Sequence, residues 1–264
     1  MAVLMTAGWD ARIARAQELA SQQPAAAPLL LFYARVAEFQ KKVCAEISPR
    51  VAADPEQSLR SQLRPELILP FFPALLELVE QYGPGRLEEA ARELAATGEG
   101  KCREVLMDHI AGRPTDPCLD FFARAAAQPY AEHLAARMAS GPLPASQVCP
   151  LCNSKPQLGV LRPEGEGTKR SLLCSFCLLE WEFRRLLCPA CGEENESKLP
   201  FYRAEELPHL RVESCETCRH YLKSVDLAQN GLAVPLVDEI AASALDLWAH
   251  DRGLTKIAVN LLGL

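Results

Sequence analysis

The sequence contains no long apolar run and no excess of basic residues. No segment of its 264 residues reaches the roughly 18 consecutive apolar residues that a membrane-spanning helix requires. The formal net charge is −6 at pH 7, whereas a protein that binds nucleic acid through its phosphates is usually basic. We therefore expect no membrane insertion and no nucleic-acid partner.

The beginning of the sequence lacks the pattern of an export signal. MAVLMTAGWDARIARAQELA shows no basic stretch followed by an apolar run and a small-residue cleavage site. We therefore expect a cytoplasmic protein whose cysteines remain in a reducing compartment. A framework of structural disulfides, which is typical of small exported proteins, is correspondingly disfavoured.

The sequence also lacks the usual signs of a catalytic site. We recognise no serine–histidine–acid set, no glycine-rich phosphate loop and no metal site with an open coordination position. These absences predict that the protein is not an enzyme.

Cysteine is the residue type that occurs in a distinctive pattern. Eight of the eleven cysteines form four Cys-x-x-Cys pairs, which we call knuckles. Two intervening residues let a tight turn aim both sulfurs at one ion, and a tetrahedral four-thiolate site uses two such turns. A redox-active Cys-x-x-Cys pair normally stands alone. We therefore predict two metal sites with these ligands: Cys149, Cys152, Cys174, Cys177, Cys188, Cys191, Cys215 and Cys218.

The four knuckles form an internal repeat. Cys149-Pro150-Leu151-Cys152 resembles Cys188-Pro189-Ala190-Cys191, and a second knuckle follows each of them at a similar distance. Short β-like runs separated by polar turns lie between the two knuckles of each half, as in a zinc ribbon or a rubredoxin. This order predicts that consecutive knuckles share one ion. An interleaved cross-brace, in which the first and third knuckles share an ion, is the alternative.

The spacing of the cysteines does not identify the metal. Four thiolates fill a tetrahedral coordination sphere, so such a site is structural or transfers single electrons. Zinc would be structural, whereas iron could alternate between ferrous and ferric states, and iron–sulfur clusters also use four cysteines. His209 and His220 lie near the fourth knuckle and are the alternatives to a thiolate ligand.

The first half of the sequence, residues 1 to about 140, has the apolar periodicity of helices. The clearest stripe steps by three and four residues from Leu29 to Ile47 and predicts one helix of about 20 residues. Asp116 followed by Pro117 predicts the start of another helix. Near the end of the chain, Pro235 begins a predicted final helix, which Gly253 ends.

Proline and glycine at 141–145 stop the helical pattern and mark a domain boundary. We expect a multi-domain α+β protein with an N-terminal all-helical domain, two rubredoxin-like or zinc-ribbon-like metal lobes, and a C-terminal helix with a tail. The predicted ranges are 1–145, 146–186, 187–228 and 229–264.

The segment that joins the two lobes contains Trp181, Arg184 and Arg185. Trp and Arg are enriched at the centres of protein interfaces, so one interpretation is a partner-binding patch. Charge-rich segments usually face water, so the alternative is a solvated linker with one packed aromatic ring.

Several segments of the second half are specific in combination. They are CSFCLLEWE at 174–182, CPACG at 188–192, VESCETCRHYLK at 212–223 and PLVDE at 235–239. Together they resemble the formate dehydrogenase accessory proteins of the FdhE family. The resemblance implies a cytoplasmic accessory protein that is required for formate dehydrogenase activity and binds its catalytic subunit before export.

The same resemblance bears on the metal. It implies rubredoxin-like lobes that hold iron in two mononuclear four-cysteine sites, with zinc as the alternative. Asn153 departs from the family pattern, in which glycine follows the second cysteine. Asparagine tolerates positive φ better than most residues, so we expect the turn to form but the first site to be the weaker one.

Two other functions compete with that of an accessory protein. A small electron carrier would use one or both centres as redox-active iron. A zinc-ribbon module for nucleic acid is disfavoured by the negative charge. The sequence leaves the oligomeric state open, self-association included.

Overall fold

The first half of the chain is helical, as predicted. The computed structural model describes residues 8–139, 141 and 143–264. The predicted boundary at 141–145 therefore lies partly outside the described residues. The helices before it are α1 (Trp9–Gln22), α2 (Ala27–Ile47), α3 (Pro65–Ile68), α4 (Phe72–Tyr82), α5 (Gly85–Thr97), α6 (Glu99–Ala111) and α7 (Pro117–Met138).

The two longest helices follow from the sequence. Helix α2 buries Phe32, Val36 and Val43 from the predicted stripe. Helix α7 begins after Asp116, whose carboxylate accepts hydrogen bonds from the first free amides of the helix. No helix within the described ranges is long and apolar enough to cross a membrane.

The second half forms one mixed sheet. Each predicted lobe contributes three antiparallel strands, and the strand order is β3-β2-β1-β6-β5-β4, with β7 also paired to β6. The strands are β1 (Pro156–Glu164), β2 (Gly167–Cys174), β3 (Glu180–Glu182), β4 (Phe201–Arg203), β5 (Leu210–Ser214), β6 (His220–Asp226) and β7 (Thr255–Lys256).

A parallel pairing of β1 with β6 joins the two lobes. Residues 159–161 pair with residues 224–226. A Cβ at position 159 would lie 2.1 Å from Ser224 Oγ, so any residue other than Gly159 would require Ser224 to move. The β-like runs predicted between the knuckles of each half pair as two hairpins, β1–β2 and β4–β5. The sequence did not predict β3, β6 or the pairing that makes one sheet.

The predicted C-terminal helix is two helices, α8 (Pro235–Ala241) and α9 (Ser243–Asp251). The expectation of one continuous helix was therefore wrong. At the break, the ammonium of the buried Lys223 donates to the carbonyls of Glu239 and Ala242 at 2.7 and 3.2 Å. Lys223 thus binds backbone carbonyls at the interruption of the helix, and the carbonyl of Ala242 also accepts from the amide of Leu245 at 3.0 Å.

The end of the chain docks on the protein itself. Strand β7 pairs with β6, and Ile257 and Leu261 join the main hydrophobic cluster. That cluster spans both halves, because it contains residues of α2 and α7 as well as Cys149, Leu172 and Trp181. The four predicted domain ranges therefore meet in a common core, and their independent folding stays a prediction.

Candidate metal centres

The structure brings the eight cysteines together in two groups of four. The first cluster contains Cys149, Cys152, Cys174 and Cys177, and the second contains Cys188, Cys191, Cys215 and Cys218. Within each cluster the sulfur atoms lie within 4.8 Å of one another. Consecutive knuckles therefore form each cluster, and the interleaved cross-brace is not the arrangement found.

The first cluster lies inside the protein. Its shortest distance between sulfur atoms is 3.3 Å, from Cys152 to Cys174, and Cys177 Sγ lies 3.6 Å from Cys149 Sγ. None of its four residues is more than 5% exposed, and all four belong to the main hydrophobic cluster. This centre therefore lies where the sheet packs against the helical half.

The second cluster lies at the surface. Cys188 Sγ is 3.8 Å from Cys218 Sγ, and Cys191 Sγ is 3.7 Å from Cys215 Sγ. Cys191 is exposed and Cys218 is half-buried. The two halves of the repeat thus place chemically identical ligand sets in different dielectric environments.

All four knuckles share one backbone geometry. The amide of the first cysteine donates to the carbonyl five residues later at 2.8 or 2.9 Å. The residue after the second cysteine has a positive φ, at 58° for Asn153, 55° for Leu178, 80° for Gly192 and 59° for Arg219. The turn expected at Asn153 therefore forms, and asparagine adopts this region more readily than leucine or arginine.

The sulfur spacing fits a tetrahedral metal ion. Sulfurs placed about 2.3 Å from a central ion are about 3.8 Å apart in a tetrahedron, and the close contacts of the two clusters range from 3.3 to 3.8 Å. Backbone amides also approach the sulfurs. The amides of Phe176 and Cys177 lie 3.3 and 3.4 Å from Cys174 Sγ, and the amide of Ala190 lies 3.4 Å from Cys188 Sγ. Such contacts stabilise thiolates.

The electrostatics of the first cluster also fit a cation. Burial raises the pKa of the Cys174 and Cys177 thiols well above the usual value, because a buried thiolate loses its hydration. Four neighbouring sulfurs would repel one another as thiolates, and a divalent ion at their centre would supply the compensating charge. With four protein sulfurs as ligands, no coordination position would remain for a substrate or an activated water.

The two candidate histidines have other partners. His209 Nε2 bonds to Asp238 Oδ1 at 3.0 Å, and His220 Nδ1 bonds to the carbonyl of Cys218 at 2.9 Å. Among the described residues, the groups with metal-ligand spacing contain cysteine only. His220 therefore contacts the backbone of the fourth knuckle and is not placed as one of its ligands.

The joining segment separates the three residues that we expected in a partner-binding patch. Trp181 lies in β3, is 2% exposed and donates from Nε1 to the carbonyl of Ser146 at 2.8 Å. Arg184 and Arg185 are exposed, and Arg184 pairs with Glu194 at 2.8 Å. The ring of Trp181 is not at the surface in this fold, because the residue is buried in the main hydrophobic cluster. Of the three residues, only the arginines present their side chains at the surface, and the partner-binding patch stays a prediction.

Sequence reasoning missed two residues beside the first cluster. Arg60 donates to the carbonyl of Cys152 at 3.1 Å, and Arg124 donates to the carbonyl of Ser175 at 2.7 Å. Both come from the helical half and lie far from the knuckles in sequence. Their separation left no local pattern by which to find them.

The fold and the clusters define a class of protein: a helical half packed on tandem three-stranded lobes, each carrying a closed four-cysteine centre. The family model described as the FdhE central domain matches residues 148–185, and that described as the FdhE C-terminal domain matches residues 186–262. The matched regions together contain all eight knuckle cysteines.

Similarity to curated relatives extends over most of the chain. An FdhE homologue of Pseudomonas putida is 30% identical over 96% of this chain and 79% of the relative. One from Aquifex aeolicus is 28% identical over 91% of this chain and 90% of the relative. The crystal structure of FdhE from Pseudomonas aeruginosa superposes with a TM-score of 0.74 over 98% of both chains at 25% identity. The chain belongs to the FdhE family.

Proposed function

We propose that this protein is a formate dehydrogenase accessory protein that binds the catalytic subunit in the cytoplasm before export. Membership of the FdhE family is the observation that carries the proposal. The geometry of the clusters is consistent with a role other than catalysis, because a four-thiolate centre leaves no coordination position for a reacting group.

We propose further that the eight knuckle cysteines hold two iron ions in mononuclear sites, with zinc as the alternative metal. Metal analysis of protein purified without oxygen tests this assignment together with the visible spectrum. Two iron equivalents and thiolate-to-iron absorption would support it. Two zinc equivalents and a colourless protein would select the alternative, and substoichiometric metal would contradict both.

Arg184 and Arg185 are the proposed contact residues for the catalytic subunit. They are exposed beside Leu186, which is 47% exposed, and the second cluster follows at Cys188. Exposed arginine next to an exposed apolar side chain is a composition typical of binding surfaces. Reversal of both charges, with Arg184→Glu and Arg185→Glu, should abolish co-purification of the catalytic subunit while metal content is unchanged.

The matched control is Arg86→Glu, which reverses an exposed arginine in the helical half. It should leave co-purification unchanged. Loss of the partner in both variants would point to a general charge effect, and retention in both would remove the two arginines from the contact surface. A wild-type protein that captures no formate dehydrogenase subunit would contradict the proposed function itself.

An electron carrier is the second candidate function, and the exposure of Cys191 favours it. A centre at the surface lies close enough to solvent to exchange electrons with a docked protein, whereas the first cluster is enclosed. A redox titration separates the two functions. Reversible single-electron oxidation of the second centre, without any captured subunit, would support the carrier.

A further inference from the structure

The first cluster has a guanidinium group at each of its two knuckles. Arg60 Nε donates to the carbonyl of Cys152 at 3.1 Å, and its Nη2 donates to Ser154 Oγ at 2.8 Å. Ser154 Oγ in turn lies 3.3 Å from Cys152 Sγ. Arg60 therefore reaches the first knuckle both directly and through one hydroxyl group.

Arg124, on helix α7, reaches the second knuckle of the same cluster. Its Nη2 donates to the carbonyl of Ser175 at 2.7 Å and to Gln157 Oε1 at 2.9 Å. The amide group of Gln157 then donates to the carbonyl of Cys174 at 3.2 Å. The two arginines thus contact both knuckles of the first cluster, from outside the metal-binding lobes.

Among residues 8–139, 141 and 143–264, no carboxylate forms a direct ion pair with either arginine. All of their hydrogen bonds go to carbonyl, hydroxyl or amide oxygens. Asp120 and Glu239 place negative charge near Arg124. Asp120 bonds to His109 Nδ1 at 2.7 Å, and Glu239 pairs with Lys223 and Lys256. Burial lowers the pKa of Arg124 to about 10, so its guanidinium is still charged at neutral pH.

A metal-filled first centre would carry a charge opposite in sign to that of the two guanidinium groups. Four thiolates around a divalent ion carry a net charge of −2, and around a trivalent ion a net charge of −1. Each of the four cysteines is at most 5% exposed, so little water is available to stabilise that charge. The second cluster differs, because Cys191 is exposed to solvent.

We propose that Arg60 and Arg124 supply the counter-charge of the first metal centre and thereby favour a divalent ion in it. The inference rests on the proposed binding of metal by the first cluster. It assigns the two arginines as positioning residues that act on the centre through the knuckle backbone and through their charge. Because both belong to the helical half, filling of the first centre is coupled to the packing of that half against the sheet.

Cobalt(II) binding to the full chain tests the proposal, because tetrahedral cobalt thiolate sites have characteristic visible bands. Arg60→Gln and Arg124→Gln should each lower the affinity for one of the two bound cobalt ions about 10- to 100-fold, measured by competition with a chelator. Losses of this size are usual when a residue that contacts the ligands of a metal site is removed. A Cys188→Ser variant, which lacks a second-cluster ligand, identifies which equivalent responds. Arg113→Gln is the matched control, because Arg113 lines the same cleft but pairs with Asp108.

Charge-preserving variants separate the charge of the arginines from their hydrogen bonds. Arg60→Lys and Arg124→Lys should bind cobalt more tightly than the corresponding glutamine variants. In the iron-loaded protein, the glutamine variants should lower the reduction potential of the first centre, because the ferrous form carries the larger negative charge. If a variant weakens the binding of ferrous iron tenfold more than that of ferric iron, the reduction potential falls by about 59 mV.

Equal weakening by lysine and glutamine, with an unchanged potential, would overturn the proposal and leave only a structural role. Loss of both cobalt ions in Arg124→Gln would indicate a folding defect. The comparison of Arg60→Gln with Arg60→Lys, at a half-buried position, would then test the proposal. A wild-type chain whose first cluster binds no metal would instead contradict the proposed metal site.

Discussion

Replacement of Trp181 by alanine tests whether the joining segment stabilises the fold by packing. Trp181 pairs with Leu172 across β2 and β3 and is 2% exposed. A tryptophan side chain buries about 200 Å², which at about 25 cal/mol per Å² corresponds to about 5 kcal/mol. Loss of the bond from Nε1 also leaves the carbonyl of Ser146 without that donor, at a cost of about 1 kcal/mol.

Partial collapse of the cavity offsets part of this loss, and tryptophan-to-alanine changes in cores usually cost about 3–5 kcal/mol. We therefore expect Trp181→Ala to lower the free energy of unfolding by about 4 kcal/mol. That loss is a large fraction of the about 5–15 kcal/mol that stabilises a typical domain. The assay is urea denaturation of the metal-loaded protein, with metal content measured on the same samples.

Trp248→Ala is the matched control, because it makes the same chemical change at a half-buried position, where the ring centroid lies 4.8 Å from that of Tyr202 at an interplanar angle of 56°. It should lower stability by less than Trp181→Ala. A loss below about 1 kcal/mol for Trp181→Ala, the size of an ordinary surface effect, together with loss of the catalytic subunit, would refute the packing argument and restore Trp181 as a contact residue.

Replacing Cys188 and Cys191 by serine should remove one metal equivalent and leave the ion of the first cluster in place, because the clusters share no ligand; equal loss from both sites would contradict separate centres. Stability should also fall in acid because of Glu239. Burial raises the pKa of this carboxyl group, but the charges of Lys223 and Lys256 outweigh it and hold the pKa at about 2, below the usual 4.5. A lowered pKa stabilises the fold above pH 4.5 and loses its effect as the pH falls towards 2. Glu239→Gln should flatten the dependence of the urea midpoint on pH in that window, and an unchanged slope would contradict it.

Local sequence patterns predicted the parts of this fold that depend on interactions between neighbouring residues. The stripe of α2 and the cap of α7 require only neighbouring residues, and both were recognised. The cysteine clusters were predictable for a similar reason, because a knuckle is a single turn. The internal repeat then indicated which knuckles combine, since each hairpin returns its second strand to the turn where the first began.

Contacts between distant segments were beyond such patterns. The Arg60 and Arg124 side chains reach the knuckles from the helical half, and no periodicity in either segment indicates this. The break between α8 and α9 was missed for the same reason. The buried ammonium of Lys223, which binds carbonyls at the break, comes from β6, whereas the apolar periodicity after Pro235 is that of one continuous helix.

The internal repeat relates the burial of Trp181 to that of a residue in the second half. Residues 173 and 180 pair across β2 and β3, and residues 214 and 221 pair across β5 and β6. Each pair joins the residue before a knuckle to the third residue after it. Trp181 therefore occupies the position of Leu222, which is 1% exposed. In both halves the strand after the second knuckle pairs with the second strand of the hairpin, and its residue at this position is buried. Burial of position 181 follows from the lobe architecture, whereas Arg184 and Arg185 are exposed and have no such structural requirement.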